Sequence, residues 1–347
     1  MKKMRMRRIY EMSFTDVEKK QLKIFVAVAF GLPVLMGMLM GIGYYQGSDV
    51  AAFPTAQMFY PAAGVMLALL FTRDKEKPFP RKFYYTFLAA TVLQMVCAIA
   101  SIFTPQLGWA VICQIPLMIF SVICLIMLLV EKKETRALYG IRLTGRKGAK
   151  SGLYMLLFFA LYLLRFFIGM AFDGQVNVFV EMFASPDTWI MIGAVALNFF
   201  FAFTAFFGEE YGWRYFFQPL LQKRFGKKAG VLFLGVVWGL WHLPINIFYY
   251  SPDTWHISVI LQIVTCVSYS IFFGYGYLKT ENIWVPVVMH YINNNMAAVV
   301  GGGASAIENN VYRWVDVPVL IGLNIIFMVF IYSKVYRENK DSKSLEG

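Results

Sequence analysis

Long apolar runs alternate with short polar or charged ones from one end of the chain to the other. The apolar runs are about 17 to 22 residues long, the length a helix needs to cross a hydrocarbon core of roughly 30 Å. Ten of them fall at 24–45, 56–72, 83–103, 109–130, 152–172, 187–208, 229–249, 257–278, 283–300 and 317–333. Lipid offers the backbone no hydrogen-bond partner, so each run predicts a helix. The expected fold class is all-α: a polytopic membrane helix bundle of about ten transmembrane helices, with the lipid bilayer as its first partner.

Charge orients this bundle. All but two of the 32 Lys and Arg residues lie in 1–23, 73–82, 131–151, 209–228, 279–282 and 334–347, segments that alternation puts on one side. The positive-inside rule makes that side cytoplasmic. The expectation is a multi-pass protein of the cell (plasma) membrane with both termini in the cytoplasm. The two exceptions are Arg313, on the other side, and Arg165, inside a span. Composition agrees, with 59% hydrophobic and only 15% charged residues, against roughly 25% charged in soluble domains. Topology and anionic lipid account for the net charge of +12, and no nucleic-acid partner is called for. The opening "MKKMRMRRIY" leads into a full-length apolar run without a small-residue cleavage site, so the first run reads as a retained helix. Cys97, Cys113, Cys124 and Cys266 all sit inside spans with no C-x-x-C pair, which predicts buried free thiols.

The basic connection 131–151 divides the chain. Residues 1–151 read as a four-helix region of unassigned role with its basic loop, 152–300 as the core carrying the chemistry, and 301–347 as a last helix and basic tail. No internal repeat is visible. The first half has no counterpart to the polar positions of the second, unlike transporters built from inverted halves. Nothing in the sequence speaks to oligomeric state.

Three stretches place polar groups where lipid or protein belongs. An ionisable side chain at the middle of a membrane helix costs about 2.5–3.5 kcal/mol, so such groups are functional candidates. "GEEYGWRYFFQPLL" holds Glu209, Glu210 and Arg214. On a helix Glu210 and Arg214 share a face and can pair. Glu209 points about 100° away, along the line of Trp213, without a local counter-ion. Such a carboxylate suits a general base. The bland alternative is a helix end with solvated charges. Gly208 and Gly212 leave room for another backbone, and Pro219 predicts a kink or a helix end. "VVWGLWHLPIN" places His242 two residues before Pro244, with Asn246 one turn on. "ENIWVPVVMHYINNN" places His290 and Asn294 on one face, after Pro286. Either histidine alone reads as an ordinary buried residue, and His256, in an outer loop, reads as exposed. Together, a carboxylate, two imidazoles and an amide make a water-activating set. They could hold a divalent metal such as Zn, or polarise water directly with Glu209 as base and the others as oxyanion donors.

These residues resemble the CPBP family, the CAAX proteases and bacteriocin-processing enzymes also called Abi-type proteins, which include the eukaryotic Ras-converting CAAX endopeptidase. "EEYGWR" is similar to its Glu-Glu-x-x-x-Arg motif. "WGLWH" is similar to its second motif, an aromatic residue before a His, with Trp238 where Phe is commoner. "HYINN" is similar to its His-x-x-x-Asn motif. Order and spacing agree, over roughly 152–300. The resemblance implies an intramembrane endopeptidase that cleaves a membrane-associated peptide or protein. It implies that Glu209 activates water and that Glu210 and Arg214 shape the site as a pair. His242, His290 and Asn294 would complete the site, either as metal ligands together with Glu209 or as oxyanion stabilisers. Members of such families also act as non-proteolytic scaffolds or immunity proteins, and intramembrane charge is compatible with a transporter. The complete motif set favours the enzyme. The substrate is not legible. The depths of Glu209, His242 and His290 disagree unless the sixth helix runs on to about Phe217. With that extension, the site is expected in the cytoplasmic half of the membrane and open to that side.

Overall fold

The computed structural model describes residues 14–144, 148–301 and 308–337. The basic N-terminal decapeptide, part of "RLTGRKGAK" and most of the C-terminal tail lie outside them. Every apolar run predicted above is helical, and the described residues contain no strand. The ten longest helices, in chain order, are α1 (Asp16–Tyr45), α2 (Ala52–Thr72), α3 (Arg81–Phe103), α4 (Trp109–Val130), α5 (Gly148–Phe172), α6 (Pro186–Phe225), α7 (Lys227–Tyr250), α8 (Pro252–Thr280), α9 (Trp284–Gly301) and α10 (Asp316–Tyr332). Seven are long and apolar enough to cross a membrane, and α7 makes an eighth if its two arms, bent by 41° between Trp241 and Leu243, form one span. The α10 helix is apolar but shorter. The polar His290 and Asn293–Asn295 lie in α9. The fold is thus an all-α bundle of the kind that the pattern predicts.

Two local features set the geometry of the site. The first is the course of α6. Pro219 has no N–H to give the carbonyl four residues back. The helix adjusts ahead of it rather than ending: Tyr211–Phe217 take a wider π-helical turn, with the Gln218 N–H reaching the Trp213 carbonyl, and an α-helix resumes at Gln218–Phe225. The sixth helix therefore runs past the expected Phe217 to Phe225. The second feature is the approach of α2 to α6. A Cβ on Gly208 would meet the Met58 carbonyl oxygen at 2.3 Å, and one on Gly212 would meet Pro61 Cβ at 2.2 Å and its carbonyl carbon at 2.9 Å. Only glycine permits that contact.

The first four helices belong to the same core as the rest. Phe25 of α1 packs on Trp213, Phe216 and Phe217 of α6, with ring centroids 6.1, 4.9 and 5.3 Å apart. Phe83 and Phe87 of α3 pack on Phe207. Hydrogen bonds cross the same boundary. Gln57 donates to the Trp241 carbonyl at 2.8 Å, and the Trp241 indole donates to the Ala29 carbonyl at 2.7 Å. Tyr211 donates to the Tyr139 carbonyl while sharing a hydrogen bond with Tyr84. Alongside α6 runs α9, with Trp284 against Phe203 and Phe207 and Tyr291 against Phe199 and Phe206. The four cysteines are free and buried, as expected.

Candidate active site

The carboxylates of the Glu-Glu pair are enclosed by protein. Glu209 is 2% exposed, and Glu210 and Arg214 are 0% exposed. The reading of a solvated helix end is thereby overturned: α6 continues for four turns beyond Glu209, so these side chains sit inside the bundle.

Helical spacing pairs them as the sequence predicts. Arg214 Nε donates to Glu210 Oε2 at 2.8 Å, one turn back on α6. Its Nη1 donates to Ser270 Oγ at 3.1 Å, and its Cζ lies 4.9 Å from the Trp238 ring centroid and 5.7 Å from that of Phe273. The other Glu210 oxygen meets His290 Nδ1 at 2.9 Å. A Glu210 that accepts from a guanidinium is a carboxylate, so the His290 nitrogen facing it carries the proton. Arg214, Glu210 and His290 form one chain that fixes the His290 ring and leaves Nε2 as its free edge.

Glu209 stands apart from this chain. Among the described residues it has no cationic partner. Two indole N–H groups bind a single oxygen instead: Trp213 Nε1 lies 3.3 Å from Oε2, one turn on, and Trp238 Nε1 lies 2.7 Å from the same oxygen. Of these donors the face argument named Trp213. The Trp238 donor was missed, although its place in the second motif, where Phe is commoner, was the available signal.

His242 occupies the bend in α7. Its Nδ1 lies 2.8 Å from the Trp238 carbonyl, which can only accept, so Nδ1 carries the proton and Nε2 the lone pair. Trp238 thus holds Glu209 with its side chain and His242 with its backbone. Asn246 turns away: it donates to the His242 carbonyl and accepts from Ser258, which makes it part of the bend rather than of the reacting set. Asn294 is exposed, and its Oδ1 accepts from Asn293 at 2.8 Å. His256 is exposed.

Glu209, His242, His290 and Asn294 all face one cavity of about 1110 Å³. From these residues it runs past Cys266, Gln262 and Tyr250 to Asp49, Ala110, Glu308 and Asp316. Asp49 and Glu308 belong to the connections α1–α2 and α9–α10, and Ala110 and Asp316 to the first turns of α4 and α10. No residue of the Lys- and Arg-rich connections lines it. The expectation of a site open to the basic side is corrected: the cavity reaches the connections of the opposite side, where its mouth lies. Among the described residues no group of three or more His, Cys, Asp or Glu side chains stands where one metal ion would hold them together. The donor set Glu209, His242, His290 and Asn294 therefore does not fit a metal centre in this geometry.

No curated protein and no solved structure matches the chain. Residues 191–296, under half of the chain, match the family model described as type II CAAX prenyl endopeptidase Rce1-like; this segment holds all six motif residues and bears out the resemblance to CAAX proteases read from the sequence.

Proposed function

We propose that the chain is an intramembrane endopeptidase that hydrolyses a peptide bond of a membrane-associated peptide or protein, with Glu209 as the base that activates water. The observation that carries this reading is the state of Glu209. It is enclosed, without a cationic partner, held by two indoles on one oxygen, and on the wall of a cavity that it shares with His242, His290 and Asn294.

In the proposed reaction Glu209 takes a proton from water as the oxygen attacks the scissile carbonyl. General-base help of this kind is worth about 10²–10⁴ in rate. Charge then grows on the carbonyl oxygen, where the Asn294 amide and His290 act as donors, the latter once its Nε2 as well as its Nδ1 carries a proton. The Arg214–Glu210–His290 chain keeps that imidazole in place without reorganisation. Collapse breaks the C–N bond, the proton held by Glu209 passes to the leaving amine, and the products are a carboxylate and an amine. No step is routed through a metal. The water and the scissile bond arrive through the mouth at Asp49 and Glu308, the face opposite the basic connections, which the positive-inside rule makes non-cytoplasmic.

The test is cleavage of a library of lipid-anchored peptides by purified protein in nanodiscs, wild type against Glu209→Gln. Cleavage lost in the variant at unchanged thermal unfolding supports the reading. A variant that cleaves like wild type, or a wild type inert across the library, moves the assignment to a non-proteolytic scaffold.

A further inference from the structure

Arg165 has no part in the chemistry just described. It is one of the two basic residues outside the basic segments, and it sits on α5 within the bundle. Its guanidinium nevertheless lines the same cavity as Glu209. Its partners are neutral. Nη1 donates to Tyr269 Oη at 2.9 Å and to Asn324 Oδ1 at 3.0 Å, and Cζ lies 5.4 Å from the Tyr162 ring centroid. Among the described residues no carboxylate pairs with it. Asp316, on the same cavity wall, is engaged by the backbone N–H of Arg313 at 2.7 Å and by its guanidinium at 3.6 Å.

The two oxygens that accept from Arg165 belong to groups that keep hydrogens of their own. Tyr269 spends its oxygen as acceptor for Arg165, which leaves its O–H to donate elsewhere. Asn324 is 0% exposed, its oxygen is on Arg165, and its amide nitrogen is a buried donor with no partner among the described residues. Arg165 and Tyr269 line the cavity while Asn324 lies behind them, and a guanidinium and a phenol that still have hydrogens to offer favour an anionic acceptor. The site is close to the reacting groups: the His290 ring is 6.0 Å from that of Phe273, which stacks at 5.2 Å on Tyr269.

We infer that Arg165 and Tyr269, with Asn324 holding the guanidinium from behind, form a carboxylate-binding subsite that anchors the peptide substrate beside the scissile bond. One unpaired guanidinium balances one negative charge, which fits a carboxylate and not a doubly charged phosphate, and its planar fork matches two carboxylate oxygens. The mouth of the cavity is acidic, at Asp49, Glu308 and Asp316, so the carboxylate enters on an apolar peptide rather than as a free small anion. This inference rests on the endopeptidase reading for the identity of the ligand. The carboxylate is either the peptide's terminus or an acidic side chain near the cleavage point.

The test measures binding, so that it fails separately from catalysis. Glu209→Gln protein in nanodiscs is titrated into a palmitoyl-anchored, fluorescein-labelled apolar decapeptide in three forms: a free C-terminal acid, a C-terminal amide, and an amide with one internal Glu. Anisotropy is expected to show about tenfold tighter binding of one carboxylate form over the plain amide, and which form it is names the source. Adding Arg165→Gln removes the preference, and Arg165→Lys keeps part of it. Asn324→Asp, which supplies an internal carboxylate to Arg165 and needs no loss of charge for folding, also removes it. Equal or absent binding of all three forms, or a preference that survives both Arg165→Gln and Asn324→Asp, overturns the inference. A preference that is present in a protein that never cleaves retains the subsite and rejects the endopeptidase.

Discussion

The indole of Trp238 donates to the Glu209 carboxylate at 2.7 Å across 29 positions of sequence. The same residue offers its carbonyl to His242 Nδ1 at 2.8 Å. One tryptophan therefore sets the position of the proposed base by its side chain and the tautomer of a neighbouring imidazole by its backbone. Trp238→Phe separates the two roles, because it deletes only the indole N–H. A hydrogen bond to a charged group is worth about 1.5–3 kcal/mol. The variant is expected to lose roughly tenfold or more in kcat, with KM little changed and the protein still folded. A larger effect on KM than on kcat would show that Trp238 serves substrate binding instead.

Glu209→Gln keeps shape and volume but cannot accept a proton. Cleavage is expected to fall by about 10²–10⁴, with thermal unfolding in detergent within a few degrees of wild type. His290→Ala is expected to be as inactive but less stable, since it strips a partner from the buried Glu210. A Glu209→Gln protein that unfolds early would mean that the carboxylate is structural.

Arg214 and Glu210 are 0% exposed and bonded at 2.8 Å. Removing one partner of a buried pair strands the other and costs about 3–5 kcal/mol, whereas apolar replacement of the pair is often tolerated. Arg214→Met alone is therefore expected to lower the unfolding temperature sharply. Glu210→Gln combined with Arg214→Met is expected to restore much of that loss without restoring activity. Equal destabilisation in the single and double variants would argue against the pair as the cause.

Much of this site was legible in the sequence, for one reason. Residues four apart on a helix share a face, so the Glu210–Arg214 bond and the Glu209–Trp213 contact follow from spacing alone. Gly208 and Gly212 announced a close backbone, though not whose: Met58 and Pro61 belong to α2, some 150 positions away, and helix-to-helix partners leave no periodic trace in either segment. The same limit hid the bonds of Gln57 and Trp241, which tie the first two helices to the bend at His242. Pro219 was read as a kink or an end, but a π-helical turn ahead of it supplies the missing register, and α6 continues. That extension is what moves Glu209 from a helix end into the interior and reconciles its depth with that of His290.

The glycine contact makes its own prediction. Gly212→Ala forces a methyl to within 2.2 Å of Pro61 Cβ, whereas Gly193, on the same helix, has nothing within 4 Å of an added methyl. Overpacking of this kind costs about 1–3 kcal/mol, and replacing a helical glycine in open space gains up to about 1 kcal/mol. Gly212→Ala is expected to lower the unfolding temperature and Gly193→Ala to hold or raise it. If both behave alike, the α2–α6 approach does not limit stability.

The geometry of the four motif residues also predicts the response to metal removal. No three His, Cys, Asp or Glu side chains among the described residues are gathered around one point, and one oxygen of Glu209 is already bound by two indoles. Dialysis against EDTA and 1,10-phenanthroline is therefore expected to leave the cleavage rate within about twofold, since the direct route relies on the base and its donors alone. Loss of cleavage that is restored by added Zn would place a metal among Glu209, His242, His290 and Asn294, and would require these side chains to rearrange.

The position of the mouth is testable without any substrate. Asn293 lines the cavity, as do Asp49 and Glu308 at its far end, and no basic connection does. In a Cys266→Ser background, which removes the native thiol on the cavity wall, Asn293→Cys is expected to react with a charged, membrane-impermeant thiosulfonate applied from the face opposite the basic connections. Applied from the face of the basic connections, the same reagent is expected to leave it untouched, because a charged probe does not cross the hydrocarbon core. Labelling from that face alone would put the opening among the basic connections, and with it the side from which a peptide reaches Glu209.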